Sequence, residues 1–355
     1  MTAVDNFIAN LQQQRYTAGN GPVVGDVDLF VAALQELAGG AVSGGSIVAP
    51  QGRLTLTSGV SYLTTDVTGA LTVFYTPAVG NQIPIFDGVS AFAMSTFAEL
   101  SQTLADATKS PAAAVANSNY DLFVWSNAGV ITLSRGPKWT SDTARGAGAG
   151  TTELTLLNGF NVNANAIANG PAANLGTYVG TIRTDATPAC NMMFLPAAAA
   201  GGSINRLDVW NAFNRADVIT VNRDSTLSWT YNSTVLRAKD NNANNSTKFI
   251  VGLAGDGFLA LNRMRGFHSS GAGTFIGWGL DSTTVLAPGA AGTSWNSSGV
   301  GTGQTNTCQY GAMAPLGFHF VCPLESAESA TSTFDNADTL AGLQQHCATT
   351  FKLRM

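Results

Sequence analysis

The first scarcity is charge. Of 355 residues, 17 are Lys or Arg and 22 are Asp or Glu, so charged side chains make up 11% of the chain. That is under half of the roughly 25% expected of a soluble globular domain. Disorder does not follow, because chains too polar to build a core carry high charge and few aromatics. Here 45% of residues are hydrophobic, with 18 Phe, 7 Tyr and 6 Trp. Nucleic-acid binding is excluded as an expectation. It needs clustered Lys and Arg to neutralise phosphates, whereas the basic residues are scattered and the net charge is −5. No stretch reaches the roughly 18 uncharged apolar residues of a membrane-spanning helix. Residues 1–15 lack the basic segment and apolar run of a secretory signal, so assembly in a cytoplasm is expected.

The second scarcity is of ligand and catalytic residues. There are three histidines, His268, His319 and His346, and four cysteines, Cys190, Cys308, Cys322 and Cys347, with no CxxC pair. Reduced, buried thiols are the expectation for a cytoplasmic chain; whether a disulfide forms after release from the cell is left open. His319 with Cys322 and His346 with Cys347 match no zinc spacing. GxxxxGK[ST], HExxH, GxSxG and the EF-hand loop are absent. The glycine-rich runs 146–150 and 299–303 lack a preceding strand and a following helix, so they read as loops rather than phosphate cradles. No cofactor is implied. Polysaccharide hydrolysis by paired carboxylates would have to draw on Asp208, Asp217, Asp224, Asp256, Asp281, Glu325 or Glu328, and no local context singles out a pair. A non-enzymatic role is therefore expected.

What is present is Thr, Ser, Asn, Gly and strand formers, which populate strand faces, turns and bulges. The pattern begins helically. Val4, Phe7, Ile8 and Leu11 fall on one helix face, and Phe30, Ala33, Leu34 and Leu37 on another, before Gly39-Gly40. Two such short helices are marginal alone. Residues 1–45 therefore read as an attachment segment, with Phe7, Ile8, Leu11, Phe30, Leu34 and Leu37 as the docking residues. From Leu54 the period changes to the alternation of half-buried strands. Residues 46–135 read as a small β-rich domain, with one helix expected near Phe97 to Leu104 and a hairpin turning at 126–129. Residues 136–177 read as a Gly/Ala/Asn-rich connection. Residues 178–355 carry six candidate strands, beginning near Tyr178, Val218, Thr226, Lys248, Thr274 and Phe318, and predict a larger β-sandwich or jelly roll. The fold class is thus mainly β after short N-terminal helices.

Low charge offers little resistance to self-association, so a homo-oligomer, most simply a trimer, is expected. Trp278, Trp295 and Tyr310 lie in loop-rich sequence. Exposed aromatic rings stack on sugars and anchor interfaces, which makes these three the candidate contacts to a receptor such as a host surface glycan.

Several motifs resemble a group of phage and prophage virion proteins found in tailed phages of alphaproteobacteria. They are APQGRLTLTS (49–58), VFYTP (73–77), NQIPIFDG (81–88), SNYDLFVW (118–125), LSRGP (133–137) and WTSDTARG (139–146). The similarity covers about residues 46–240 and includes the end of the chain, Gly317 to Val321 and Leu353-Arg-Met. It implies a virion structural protein that associates with itself and with other virion proteins. Tail fibre, spike, tail tip, neck or collar, and capsid decoration are all compatible with it, as is a polysaccharide-degrading tailspike. It supplies no catalytic residues.

Overall fold

Alternation of apolar and polar side chains is realised almost throughout as strand. The computed structural model describes residues 47–268, 273–296, 303–328, 330–336 and 347–355. Within Ala49–Met355, one compact unit, the chain is nearly all β, arranged in several sheets. The helical element among the described residues is a single 3-10 turn, Lys239–Asn241. The helices expected over 1–45, with Phe7, Ile8, Leu11, Phe30, Leu34 and Leu37, lie outside the described residues.

The first sheet orders Gly52–Thr55, Thr72–Pro77 and Leu100–Thr103. Its third strand corrects the helix expected near Phe97 to Leu104. Thr103 pairs with Thr72 and Leu100 with Tyr75, and Gln102 is fully buried between exposed Ser101 and Thr103. That is a period of two, so cross-strand pairing overrides the helical spacing of Phe97 and Leu104. Phe97 instead stacks on Tyr75, ring centroids 5.0 Å apart.

A second sheet is built on the hairpin Asn119–Asn127 and Val130–Lys138. Ala128 and Gly129 both take positive φ, 49° and 86°, as a two-residue type I′ turn requires. Thr177–Arg183 lies beside this hairpin with every residue buried. The stretch 136–177, expected as an irregular connection, contributes two strands of its own, Leu154–Leu157 and Phe160–Asn163. They turn at Asn158-Gly159, with φ 46° and 90°.

Two larger sheets follow. One orders Val67–Ala70, Cys190–Met193, Asn205–Leu207, Thr247–Val251, Gly317–Ala327, Gly273–Leu280 and Thr293–Asn296. The other orders Asp217–Arg223, Ala348–Arg354, Gly257–His268, Ser332–Asp335 and Ser228–Tyr231, with Gln304–Met313 also on Gly257–His268. All six strands expected after residue 178 are present. The two sheets meet across aromatic side chains. Phe249 of the first stacks on Phe351 of the second at 4.9 Å and lies 5.8 Å from Phe258. The boundaries expected at 135 and 178 do not part separate cores, because Val67–Ala70 pairs with Cys190–Met193 and Thr177–Arg183 with Asn119–Asn127.

Phe249 is fully buried and touches three rings, those of Phe258, His319 and Phe351. Phe249→Ala should destabilise the protein by about 3–5 kcal/mol through lost burial and the cavity left behind. Denaturant unfolding of the two proteins measures this, and a difference under about 1 kcal/mol would contradict a shared core.

Candidate functional site

Tyr62 and Asp217, both open to solvent, stand on one pair of neighbouring clefts. The first cleft, about 380 Å³, lies between the loop that carries Ser61, Tyr62, Leu63 and Thr64 and the strand Asp217–Arg223. Leu54, Met192, Phe194 and Val209 supply apolar lining. Beneath it Arg53 is almost fully buried. It donates from Nη1 to the Asn214 carbonyl at 2.6 Å and from Nη2 to the Met355 carbonyl at 2.8 Å. Its guanidinium carbon sits 4.8 Å from the Tyr62 ring centroid. Burial lowers the Arg53 pKa, and the nearby Tyr62 opposes that shift. Asn211 holds the floor, accepting from the Leu54 amide at 2.6 Å and donating to the Leu54 carbonyl at 3.3 Å.

The second cleft, about 330 Å³, shares Asp217 with the first and adds Asp256, Gly257, Phe258, Leu259, Lys352 and Arg354. Strand register explains this grouping. Asp217 pairs with Arg354 and Ile219 with Lys352 in the antiparallel ladder. Alternation turns these four outward, while Thr220, Phe351 and Leu353 face the core. Lys352 Nζ lies 2.7 Å from Asp217. Arg215 is ion-paired with Asp256 and stands over the Trp210 ring, 5.2 Å from its centroid. Burial lowers the Arg215 pKa, and the like charge of Arg354 lowers it further.

The aromatic residues expected at a receptor surface are placed differently. Trp278 is fully buried, and its Nε1 donates to the Cys308 carbonyl at 3.3 Å. Tyr310 is buried edge-on against Phe258, 5.2 Å between centroids. Both belong to inward-facing positions of paired strands, so neither ring offers a face to a ligand. Trp295 lies on the strand Thr293–Asn296, its backbone opposite Thr274; its side chain is outside the described residues. Of the acids in the sequence, Asp208 is buried on Arg206 and Asn191, and Asp224 is buried on Thr226 and Asn245. Glu328 accepts from the Gly273 amide. Only Asp217 and Asp256 reach the clefts. No motif gave a role to Arg53, Tyr62, Arg215, Lys352 or Arg354, although Arg53 and Arg354 lie in two of the runs that carry the resemblance. The alternation through Val218-Ile-Thr-Val does place Asp217 and Ile219 on one face, but the residues opposite come from more than 130 positions away.

Cys190, Cys308, Cys322 and Cys347 are free and buried. His319 is buried at 5% exposure. Its Nδ1 lies 2.7 Å from an Asp281 carboxylate oxygen and its Nε2 3.1 Å from the Leu316 carbonyl. Acceptors on both sides suit the doubly protonated ring. Burial lowers its pKa, but the bonds to Asp281 and Leu316 outweigh that and leave it raised above 6.5.

No protein family matches the chain, and no curated protein matches it by sequence. Among solved structures it is similar to dimeric latent PorU from Porphyromonas gingivalis, at 10% identity and a TM-score of 0.25, over 67% of this chain and 23% of that one. It is similar also to the stem and receptor binding domain of the spike protein P1 from bacteriophage PM2, at 14% identity and a TM-score of 0.19, over 81% and 98%. The Cry4Aa toxin from Bacillus thuringiensis overlaps at 9% identity and a TM-score of 0.20, over 82% and 50%. Overlaps this slight transfer neither a fold nor an activity.

Two titrations follow from the buried groups. Glu325, fully buried, accepts from Trp229 Nε1 and Arg237 Nε, both at 2.8 Å. Burial pushes its carboxyl up to about 7, against the opposing pull of Arg237. A raised carboxyl pKa means the folded state holds the extra proton, so this contribution is complete below pH 4.5 and is lost as pH rises through about 7. Glu325→Gln should flatten the fall in stability over that window and raise Tm above it; equal pH profiles for the two proteins would refute this. NMR titration of His319 should give a midpoint above 6.5.

Proposed function

We propose that this chain is a non-enzymatic structural subunit of a bacteriophage particle, an oligomeric fibre, spike or tail-tip component that serves host attachment. The observation that carries the reading is where its few charges go. Arg145, Arg183, Arg206 and Arg237 have side chains 10%, 5%, 17% and 19% exposed, each paired with an acid inside the unit. The outside is correspondingly short of ions, while Leu156, Ile219, Leu227, Val235 and Met313 are each more than half exposed. A surface so lightly charged and dotted with apolar side chains favours association between copies. The phage assignment draws its support from the sequence resemblance over residues 46–240. In this reading residues 1–45 attach the subunit to the particle and the β unit projects from it, in a sandwich-like arrangement of its two larger sheets.

Mass photometry of the purified full chain at micromolar concentration should show an oligomer, most simply a trimer. A stable monomer overturns the assembly reading. Gold-labelled antibody on intact particles should mark the tail or its fibres, and labelling confined to the shell or neck would favour a decorating or collar role instead.

A further inference from the structure

We propose that the two clefts sharing Asp217 form one groove for an acidic oligosaccharide, a sugar chain bearing carboxylates. The proposal rests on the attachment role above and names its chemistry. The local charge is the first support. Arg53, Lys352 and Arg354 line the clefts with Asp217 and Asp256, and Arg215 stands beside them, ion-paired with Asp256, in a chain whose net charge is −5. Among the described residues no carboxylate pairs with Arg354, because Asp217 is taken by Lys352. The guanidinium groups of Arg215 and Arg354 repel one another, and a bound anion relieves that repulsion.

The second support is a fixed aromatic platform. Tyr62 is 42% exposed, and Arg53 backs its ring while being itself held by two main-chain carbonyls. A ring held this way loses little freedom when a ligand packs on it. Sugar rings present C–H faces to such surfaces and hydroxyls to the polar groups beside them. Thr55, Ser61 and Thr64 line the same cleft and supply those partners, with Ile219 as an apolar wall. Single-stranded nucleic acid also combines stacking with negative charge, but it carries a phosphate at every step. Asp217 interrupts the cations midway along the groove, which suits charges spaced more widely.

The test is calorimetric titration of the full chain with an oligogalacturonate, a neutral glucan of equal length and oligothymidylate. The uronate should bind, more weakly as salt is added, and affinity should drop about tenfold or more in Tyr62→Ala and in Arg354→Glu. Arg354 is exposed, so its variant stays informative if Tyr62→Ala fails to fold. Absence of uronate binding, binding unchanged in Arg354→Glu, or equal affinity for the neutral glucan overturns the proposal, as does preference for oligothymidylate. Phage adsorption blocked by antibody to the chain, without uronate binding, removes this groove and leaves the attachment reading standing.

Discussion

A carboxylate taken out of water costs several kcal/mol unless it is fully partnered, and the middle of this fold is arranged around one such group. Asp121 has no exposed surface. It accepts from Arg145 at 2.7 and 3.1 Å, from Thr152 at 3.0 Å and from Thr181 at 2.6 Å. Arg145 continues to the Gly252 carbonyl at 2.5 Å and lies over the rings of Trp139 and Tyr178. Burial, the largest influence, pushes the Tyr178 hydroxyl up despite the nearby Arg145. The network fastens four pieces of chain: the central hairpin, the loop after it, the fully buried strand Thr177–Arg183, and the end of the strand Thr247–Val251. Each piece satisfies polar atoms that the others bury, so none can shift alone.

The same economy recurs through the unit. Glu325 and His319 are paired with Arg237 and Asp281, both distant in sequence, while Asp208 is held by Arg206 two positions before it. Ionic groups act here as internal fasteners between segments of the chain rather than as a solubilising coat. Thr, Asn and Gly are left to face solvent, and they do so without the mutual repulsion that keeps highly charged proteins apart. The cleft around Asp217 departs from this, since it sets Asp217, Lys352 and Arg354 together at an open face.

Strand chemistry was legible in the sequence because alternation is a local property. Thr226 to Tyr231 and Phe318 to Val321 could be read directly. The hairpin around Ala128-Gly129 followed from its turn residues. Asn158-Gly159 carried an equally strong turn signal, with Leu154 to Leu157 before it and Phe160 to Asn163 after it, yet the Ala- and Asn-rich flanks masked it. Near Phe97 the apolar spacing imitated a helix, and only the partner strand Thr72–Pro77 decides otherwise. Burial of Trp278 and Tyr310 was not legible for a related reason. Polar, glycine-rich neighbours suggested exposure, but inward direction is set by register with strands such as Gly317–Ala327 and Gly257–His268. Arg53 and Tyr62 could not be joined to Asp217 from sequence, because no local pattern records which strands of different sheets become neighbours.

The strand Ala348–Arg354 lies between Asp217–Arg223 and Gly257–His268 in its sheet. It leaves the ribosome after both of its neighbours. Until it arrives, each neighbour presents a row of unpaired main-chain donors and acceptors, the kind of template on which chains stick together. Insertion of this strand therefore closes two ladders in one step, and a polypeptide lacking it keeps both of those edges open.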